Sequence, residues 1–505
     1  MPGGVRRRPA VAWTHVDDVF VDGGWHAAAS MARVEVTDPA TVEVWGSAPD
    51  CGPDDVEAAV RSADRAFRAG PWPRLAASHR AECLSRMAGL LEQRADELAW
   101  TISLENGSPL AETRGAAANA ASILRYFATL ASLLEAEDVR PNPGHPGLES
   151  VVRREPVGVC ALIAPWNFPI NLVVTKLAPA LLAGCCVVVK PAESTPLSVR
   201  FVVAAAAAAG IPPGVVNLVT GGAGTGEALV RHPLTAKVAF TGSTAVGRRI
   251  GAACGELLKP VTLELGGKSA ALVLPDADLD HLASVLVRSC LRNNGQTCYT
   301  AARMLVPAAR HDEIADRVSA VVAAAPVGDP FHNATVFGPL ATRAQYERVL
   351  GHLADARAEG AVVATGGRAL DGPGWFVQPT VLTEVTPSMR VAREEVFGPV
   401  LTLLRYRTID EAVELANGTD FGLGGVVFSA DPDAAVEVAD RMDTGSVGIN
   451  VFASNHAAPF GGRHDSGLGT EYGPEGLAAY LSLKSIHRRA GRPSRAGSAY
   501  SGNGP

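Results

Sequence analysis

The spacing of apolar residues divides the chain into a helix-rich stretch and two regions of alternating strands and helices. Between residues 53 and 134 apolar side chains recur with the period of an α-helix that is buried on one face. In Asp54–Arg68 that face consists of Val56, Val60, Ala63 and Phe67. A Pro-Asp pair stands at the start of this segment, as helix N-termini favour, and we predict a helix there.

Short apolar segments begin at about residue 151 and alternate with helical patterns. The strand candidates are Gly158–Ala164, Cys186–Lys190, Val215–Val219, Lys237–Phe240 and Val261–Glu264. Among the helical segments between them, Pro196–Ala209 is rich in alanine, the strongest helix former. Strands that alternate with helices form βαβ units, so this region predicts a parallel sheet.

A second alternating region runs from about residue 269 to 465. Its strand candidates are Ser269–Leu274, Met304–Val306, Val400–Tyr406 and Gly424–Phe428. A chain of 505 residues is too long for one hydrophobic core, so we expect an α/β protein of two or three domains. The tail Arg489–Pro505 is rich in Gly, Ser, Pro and Arg and is predicted to be disordered.

Composition and charge exclude several classes of protein. The formal net charge is −7 and the basic residues are scattered, whereas a nucleic-acid-binding protein needs a basic face. The longest apolar runs, such as Leu181–Val189, are far shorter than a membrane span. Met1–His15 contains three arginines but no apolar stretch, unlike a secretory signal. We therefore expect a soluble cytoplasmic protein that binds neither nucleic acid nor membranes.

The eight cysteines are scattered, and no two have the spacing of a zinc site or a CxxC pair. Scattered thiols in a long chain indicate a reducing compartment. Cys185 and Cys186 lie in an apolar run and are predicted to pack in the core. No metal site is expected, and at most one or two of the thiols need a chemical role.

Cys298 stands apart because a polar, glycine-containing run, Asn294–Thr297, precedes it. A catalytic cysteine needs a route to thiolate, a nearby base and donors for an oxyanion. Glu264, at the end of a predicted strand, could activate either the thiol or a hydrolytic water. A lone cysteine is more often a small buried residue, and Glu264 could simply form a salt bridge. The polar run argues against a core position for Cys298.

Two glycine-containing segments could bind phosphate. Gly266–Ser269 resembles the end of a P-loop, but Thr262 stands where the first glycine is required, and no GxGxxG fingerprint occurs. Phe240–Gly247 follows a predicted strand and opens a helix, so its backbone N–H groups and the Ser243 hydroxyl could hold a pyrophosphate. The alternative is a turn that only connects the strand to the helix.

Seven short motifs are spread along the chain: Ala164–Pro169, Lys190–Glu193, Phe240–Ser243, Glu264–Lys268, Gly295–Cys298, Glu394–Pro399 and Pro459–Gly462. Over residues 17–488 they resemble the aldehyde dehydrogenase superfamily, in its non-acylating, NAD(P)-dependent branch. The resemblance implies a homodimer or homotetramer with three parts and a disordered tail. These are a Rossmann-type parallel-sheet NAD-binding domain (16–135 and 155–264), an α/β catalytic domain (265–465), a small β oligomerisation arm (136–154 and 478–490) and the tail (491–505).

The resemblance also assigns catalytic roles. Cys298 looks like the nucleophile, and Asn167 with the backbone N–H of Cys298 looks like the oxyanion hole. Asn167 could equally cap the helix that follows it. Glu264 looks like the general base for deacylation, and Lys176 and Glu471 match positions that assist proton release.

For the cofactor, Lys190 and Glu193 match a pair on the adenosine ribose. A carboxylate there favours NAD by repelling a 2′-phosphate, although Lys190 could neutralise that phosphate and admit NADP. Glu395 and Phe397 match residues at the nicotinamide ribose and ring, where a buried turn is the alternative. The remaining cofactor-binding candidates are Ile163, Ala164, Pro165, Trp166, Gly222, Gly226, Phe240, Gly242, Ser243, Gly247 and Leu265.

The implied reaction oxidises an aldehyde to a carboxylic acid through a hemithioacetal and a thioester on Cys298. Glu264 activates the water that releases the acid. Three alternatives are a CoA-acylating dehydrogenase, which would lack Glu264, a thiol esterase or amidase, which would need a Cys–His pair, and a scaffold without activity, which would lose the catalytic residues.

The substrate class is predicted from the residues expected around the substrate tunnel. These are 120–130, 170–178, Thr297, Tyr299 and roughly 452–460. Neither Asn293–Ala302 nor Phe452–Ala458 contains an arginine or lysine that could anchor a carboxylate. We therefore expect a neutral, apolar aldehyde. Two residues depart from the family pattern: Tyr299 is bulky where many members have a small residue, and Thr470 replaces an arginine beside Glu471.

Overall fold

The computed structural model describes residues 17–491. The predictions for Met1–His15 and for the tail from residue 492 onward fall outside the described residues. The α-helices are α1 Pro53–Arg68, α2 Ala77–Glu92, α3 Ala95–Asn106, α4 Leu110–Thr113, α5 Ala116–Thr129, α6 Ala131–Glu135, α7 Pro169–Ala183, α8 Val199–Ala208, α9 Ala223–Arg231, α10 Thr244–Glu256, α11 Leu279–Leu286, α12 His311–Ala324, α13 Arg343–Ala358, α14 Arg390–Arg393, α15 Ile409–Asn417, α16 Pro432–Asp440 and α17 Gly473–Ala478. Short 3₁₀ helices span Trp72–Arg74 and Ala308–Arg310, and a π-helical turn spans Val287–Leu291.

The strands are β1 Asp18–Val21, β2 Gly24–Ala27, β3 Arg33–Asp38, β4 Glu43–Pro49, β5 Asp138–Pro141, β6 Leu148–Pro156, β7 Val159–Ile163, β8 Cys186–Lys190, β9 Val216–Leu218, β10 Thr235–Thr241, β11 Val261–Glu264, β12 Ala270–Val273, β13 Arg303–Pro307, β14 Val362–Thr365, β15 Thr380–Thr383, β16 Val400–Tyr406, β17 Phe421–Gly422, β18 Gly424–Phe428, β19 Ser446–Ile449, β20 Arg463–His464, β21 Gly467–Leu468 and β22 Leu481–Arg489. All nine strand candidates of the sequence correspond to observed strands, with ends that differ by at most two residues. Two short pairs, β3–β4 and β17–β20, lie outside the larger sheets.

The first large sheet has the order β2-β1-β9-β8-β7-β10-β11-β21, and its strands from β9 to β11 are parallel. Strands β7 and β8 are buried along their whole length, because helices cover both faces of a parallel sheet. This burial explains why they read as continuous apolar runs. The predicted parallel sheet is confirmed.

The carboxyl ends of these strands meet at one edge. Ile163 pairs with both Lys190 and Phe240, and Thr241 pairs with Glu264. Chain order reverses between β7 and β10, and ligands of open parallel sheets bind in the crevice at such a reversal. The fold therefore brings the ends of four motif-bearing segments to the place where a ligand is expected.

The second large sheet has the order β14-β15-β16-β13-β12-β18-β19 and is parallel from β15 to β19. Separate hydrophobic clusters cover its two faces, one with α13 and α15 and the other with α11 and α12. The loop that carries Cys298 (residues 293–302, the thiol loop) lies between the π-helical turn and β13, at the amino end of β13.

A three-stranded antiparallel sheet, β22-β6-β5, is formed by the two segments predicted as an arm. Leu483 on it is 70% exposed, and Leu148 and Val139 are also exposed. A different apolar stretch, Leu110–Glu135, is long enough to cross a membrane by length and composition alone. It consists of three helices, and Ile123, Leu124 and Phe127 of α5 are fully buried against the domain core, as in a core helix.

Candidate active site

Cys298 is the one cysteine of residues 17–491 that is partly exposed, whereas the other seven are buried. Its side chain lines a cavity of about 360 Å³ at the edge of the first sheet. Desolvation raises the pKa of the Cys298 thiol to about 12, and the carboxyls of Glu395 and Glu264 act in the same direction. The backbone N–H groups of Cys298 and Tyr299 oppose them. The thiol is reachable but needs a base, or a nearby positive charge, to become a thiolate.

The loop before the thiol has an unusual backbone. Asn293, Asn294 and Gly295 have left-handed φ angles of 54°, 60° and 71°. A Cβ atom on Gly295 would lie 2.0 Å from the carbonyl oxygen of Gly398, so only glycine fits. The Asn294 amide accepts from the Gly338 N–H at 2.7 Å and donates to the Pro339 carbonyl at 2.9 Å. These hydrogen bonds and the left-handed backbone thus fix the position of the polar run Asn294–Thr297, which precedes Cys298.

Asn167 is fixed beside this loop. Its Nδ2 donates to the Gln296 carbonyl at 3.0 Å, and its backbone carbonyl accepts from the side chains of Asn293 and Asn106. Its Oδ1 is buried and has no hydrogen-bond partner within residues 17–491. The residue at the N-cap of α7 is Phe168, so the alternative role of Asn167 as a helix cap is wrong. One amide N–H is left for a ligand.

Glu264 lies buried at the end of β11, and neither carboxyl oxygen has a partner among the described residues. Desolvation raises its pKa well above the ordinary value; Glu471 adds to the rise and Lys176 opposes it. Lys176 Nζ lies 2.6 Å from Glu471 Oε1 and donates to Thr241 Oγ1 at 2.5 Å. The structure therefore places the three predicted proton-transfer residues in one buried cluster, despite the Thr470 departure.

The cavity beside Cys298 contains seven of the predicted cofactor residues. They are Pro165, Trp166, Gly242, Ser243, Leu265, Glu395 and Phe397. The rings of Trp166 and Phe397 meet edge to face, with centroids 5.4 Å apart. Glu395 Oε1 accepts from the Gly267 N–H at 3.0 Å, and desolvation raises the pKa of the Glu395 carboxyl to about 7. A carboxyl that titrates near neutrality thus stands next to the thiol.

A second group of predicted residues gathers at the same sheet edge, outside this cavity. Lys190 Nζ donates to the Pro191 carbonyl, and burial lowers the pKa of Lys190 while Glu193 opposes the change. A Cβ on Gly226 would lie 3.7 Å from the Lys190 side chain, and one on Gly222 would lie 3.9 Å from Glu193 Oε2. An ammonium and a carboxylate therefore stand beside two glycines, which suits a ribose and its phosphate.

The start of α10 completes this edge. Ser243 is its N-cap, and the Ser243 hydroxyl accepts from the Val246 N–H. A Cβ on Gly242 would lie 2.4 Å from the Phe240 ring, and one on Gly247 would lie 2.3 Å from Leu265. The turn can therefore be this tight only with glycine, and helix N–H groups face the crevice, where they favour an anion. These residues fit a dinucleotide. Ile163 and Ala164 are buried and do not line the cavity, so their assignment to the cofactor site stays a prediction.

The sequence analysis missed two side chains of this cavity. Gln345 Nε2 donates to the carbonyls of Val396 and Phe397, and Arg348 donates to the Glu395 carbonyl at 2.6 Å. Both lie on α13 in an ordinary amphipathic pattern, which carries no sign of a site. They hold the Glu395–Phe397 turn, where Phe397 has a left-handed φ of 57°.

Asn167 also lines a second cavity, of about 300 Å³. Its walls come from 102–119 rather than the expected 120–130, from Phe168–Leu172, and from Phe452–Ser454, His456 and Tyr472. Thr297 does not line it but faces a small pocket behind the loop. The tunnel prediction was wrong at these two places because helix α5 turns its 120–130 stretch mainly into the core.

Two arginines of this second cavity, Arg288 and Arg292, were not predicted from the sequence, because they lie just before Asn293–Ala302. Arg292 donates to Glu112 and to the Tyr299 hydroxyl. The Tyr299 ring stacks on Phe452 at 4.5 Å, which makes an aromatic wall. Asn293–Ala302 and Phe452–Ala458 contain no arginine or lysine, but two cations line this cavity: Arg292, which pairs with Glu112, and Arg288.

A partly exposed thiol lines a cavity whose residues fit a dinucleotide, and Asn167 is shared between this cavity and the second one, as expected of an α/β enzyme with a nucleotide cofactor. Residues 25–486 match the model of the aldehyde dehydrogenase family. Geranial dehydrogenase of Castellaniella defragrans is 48% identical over 93% of this chain and 98% of its own length. The chain belongs to the aldehyde dehydrogenase family: it is an NAD(P)-dependent oxidoreductase that converts an aldehyde to a carboxylic acid.

Solved structures agree. An aldehyde dehydrogenase C variant of Pseudomonas syringae, complexed with NAD+ and octanal, superposes with a TM-score of 0.89 at 39% identity, covering 94% of this chain and 96% of that one. A Mycobacterium tuberculosis aldehyde dehydrogenase complexed with NAD+ gives a TM-score of 0.92 at 39% identity, with 95% and 99% covered. The predicted family, fold class and activity are confirmed.

Proposed function

We propose that this chain oxidises a neutral, apolar aldehyde with NAD+ through a covalent intermediate on Cys298. The observation that carries this proposal is the position of the only partly exposed thiol of the described chain, beside Asn167, which lines both cavities. An aldehyde in the second cavity and a dinucleotide in the first would meet at this point.

The reaction begins when the Cys298 thiol loses its proton to water and the sulfur attacks the aldehyde carbon. The free N–H of Asn167 and the backbone N–H of Cys298 stabilise the charge that develops on the aldehyde oxygen. When bound, NAD+ supplies the acceptor for the hydride that leaves this carbon. An acyl thioester on Cys298 is left behind.

Glu264 then takes a proton from water, which attacks the thioester and releases the acid. The raised pKa of Glu264 suits a base, because a weakly acidic carboxyl binds the proton more strongly. Lys176 and Glu471 provide a path for that proton away from the buried carboxyl.

NAD+ is the preferred cofactor, because the Glu193 carboxylate would repel the 2′-phosphate of NADP+. Lys190 is the group that could neutralise this phosphate and so admit NADP+. A relative 39% identical to this chain is named a succinate-semialdehyde dehydrogenase [NADP(+)] in Escherichia coli, so both cofactors occur among relatives. The apolar character of the substrate is supported by the aromatic wall and by the names of the geranial and octanal relatives.

The unit around the first sheet (16–135 and 155–264) would bind the cofactor, and the unit around the second (265–465) would carry the thiol. The sheet of β5, β6 and β22 leaves Leu483 exposed, which supports its role as an oligomerisation arm in a cytoplasmic homodimer or homotetramer. Light scattering of the wild type and of Leu483→Lys tests the arm.

The first test follows formation of reduced cofactor over geranial, octanal and aromatic aldehydes. We expect Cys298→Ala to lower kcat by at least about 10³-fold, as for loss of a covalent nucleophile. Cofactor reduction that survives this change would overturn the mechanism. A requirement for coenzyme A would favour the CoA-acylating alternative, and cofactor-independent ester hydrolysis would favour the esterase.

A further inference from the structure

An ion pair lies in the wall of the second cavity. Arg292 Nε donates to Glu112 Oε1 at 2.8 Å, and Arg292 Nη2 donates to the same oxygen. Arg292 Nη1 donates to the Tyr299 hydroxyl at 2.6 Å, and the guanidinium lies over the Phe168 ring, 5.3 Å from its centroid. All four residues line the cavity. Glu112 belongs to α4 and Arg292 to the turn before the thiol loop, so only the fold brings them together.

This pair determines what charge the cavity offers. A carboxylate binds best to one of the two donor edges of a guanidinium, Nε/Nη2 or Nη1/Nη2, and here Nε and Nη2 already donate to Glu112. The third nitrogen is held by a phenol. The side chains of Glu112 and Arg292 are 26% and 36% exposed, so solvent screens them only in part.

The other cation of the cavity is differently placed. Arg288 lies one turn earlier, is exposed, and makes no hydrogen bond or ion pair to another residue of 17–491. Because the Arg288 side chain is exposed, water and salt screen its charge and weaken its attraction for an anion. Discrimination between charged and neutral aldehydes should therefore arise at the Glu112–Arg292 pair.

We propose that Glu112 is a specificity-determining residue: it occupies Arg292 and thereby excludes aldehydes that carry a carboxylate at their far end. An anionic aldehyde would have to displace Glu112 from the guanidinium and would be repelled by its charge. A neutral aldehyde would contact the intact Glu112–Arg292 pair and the aromatic wall of Tyr299 and Phe452. This inference rests on the proposed function and names the charge class of its substrate.

The experiment compares glutarate semialdehyde with its uncharged methyl ester, which differ in the terminal charge and in one methyl group. For the wild type we expect kcat/KM for the ester to exceed that for the acid by at least about tenfold. Glu112→Gln keeps the size and one acceptor but removes the charge. It should raise kcat/KM for the acid by about ten- to a hundredfold, mainly through KM, and change the ester value by less than about threefold.

Three further variants separate selectivity from structure. Glu92→Gln breaks a comparable arginine–glutamate pair, with Arg125 on α5, outside the cavity, and should leave the ratio of the two substrates unchanged. Arg292→Met combined with Glu112→Gln should cancel the gain for the acid. Arg288→Met tests the rival cation: if it, rather than Arg292→Met, removes the gain, the proposal is overturned.

The wild type alone can also overturn the inference. If it oxidises the acid as well as the ester, Glu112 does not exclude carboxylates, whatever the variants do. A ratio that stays at the wild-type value in Glu112→Gln has the same consequence. Failure of the proposed function is distinct, because the wild type would then form no reduced cofactor with either substrate.

Discussion

The two cavities that share Asn167 are formed by different kinds of structural element. The cofactor-side cavity is made of turns that follow strands, and its shape depends on glycines 242 and 247 and on the backbone of α10. The substrate-side cavity is made of side chains from α4, α5, α7, the π-helical turn and the 452–456 loop. One is a set of short contiguous motifs, and the other is assembled from segments far apart in the chain.

This difference teaches where recognition can vary. A turn that must accept a phosphate against helix N–H groups admits few residues, because an added Cβ meets Phe240 or Leu265. The substrate wall has no such backbone restriction, since Glu112, Tyr299 and Phe452 contribute side chains from outside the strands. Substitutions in each cavity, and at Glu264, which belongs to neither, test this difference between the two cavities.

The largest effect is expected at Glu264, which belongs to neither binding surface. Glu264→Gln should lower steady-state turnover by about 10²–10⁴-fold, because water is no longer deprotonated, while the first turnover still forms one equivalent of reduced cofactor per subunit. Rapid-quench or stopped-flow measurement of this burst is the test. Desolvation raises the pKa of Glu264, so its basic form appears at a higher pH than for an ordinary carboxyl. Wild-type deacylation should rise with pH as that form appears, and the variant should lose that rise. Loss of the burst would mean that Glu264 activates the thiol instead.

A matched pair of substitutions tests the independence of the two sides. Phe452→Ala removes the ring stacked on Tyr299 and should raise KM for an apolar aldehyde by about tenfold, with KM for NAD+ within about twofold of the wild type. Glu193→Ala should do the reverse: a similar rise in KM for NAD+ and unchanged ratios among aldehydes. Steady-state kinetics with each substrate varied in turn provides the measurement. If either change altered both constants alike, the two cavities would be coupled.

The smallest effect concerns the charge that the cofactor side places near the thiol. Glu395→Gln removes a negative charge, which lowers the pKa of Cys298 and increases the thiolate fraction at a given pH. Because the pKa of Glu395 is about 7, the carboxyl is charged only above that value. Alkylation by iodoacetamide should therefore be about three- to tenfold faster in the variant near pH 9 and equal to the wild type near pH 6. Equal rates at both pH values would contradict the assigned cause.

The parallel sheets could be predicted because their strands are buried on both faces and so appear as apolar runs, as in Cys186–Lys190. Once the strands were predicted, the position of the cofactor motifs followed, since a motif that comes directly after a parallel strand must lie at the carboxyl edge of the sheet. The tunnel walls were not predictable. Whether α5 turns residues 120–130 or its first turn toward the cavity depends on how it packs against α2 and α7.

The candidate nucleophile and its proposed partners lie in local motifs: Cys298 follows the left-handed turn 293–295, Glu264 ends β11, and Asn167 follows β7. Local backbone requirements of this kind are carried by neighbouring residues, and the sequence by itself determined them. Only the tertiary structure decided the charge of the substrate cavity. Asn293–Ala302 contains no cation, and Arg292 lies one residue before this segment. The Glu112 carboxylate that neutralises Arg292 comes from a distant helix. Pairing between such distant charges depends on packing, which no short stretch of sequence contains.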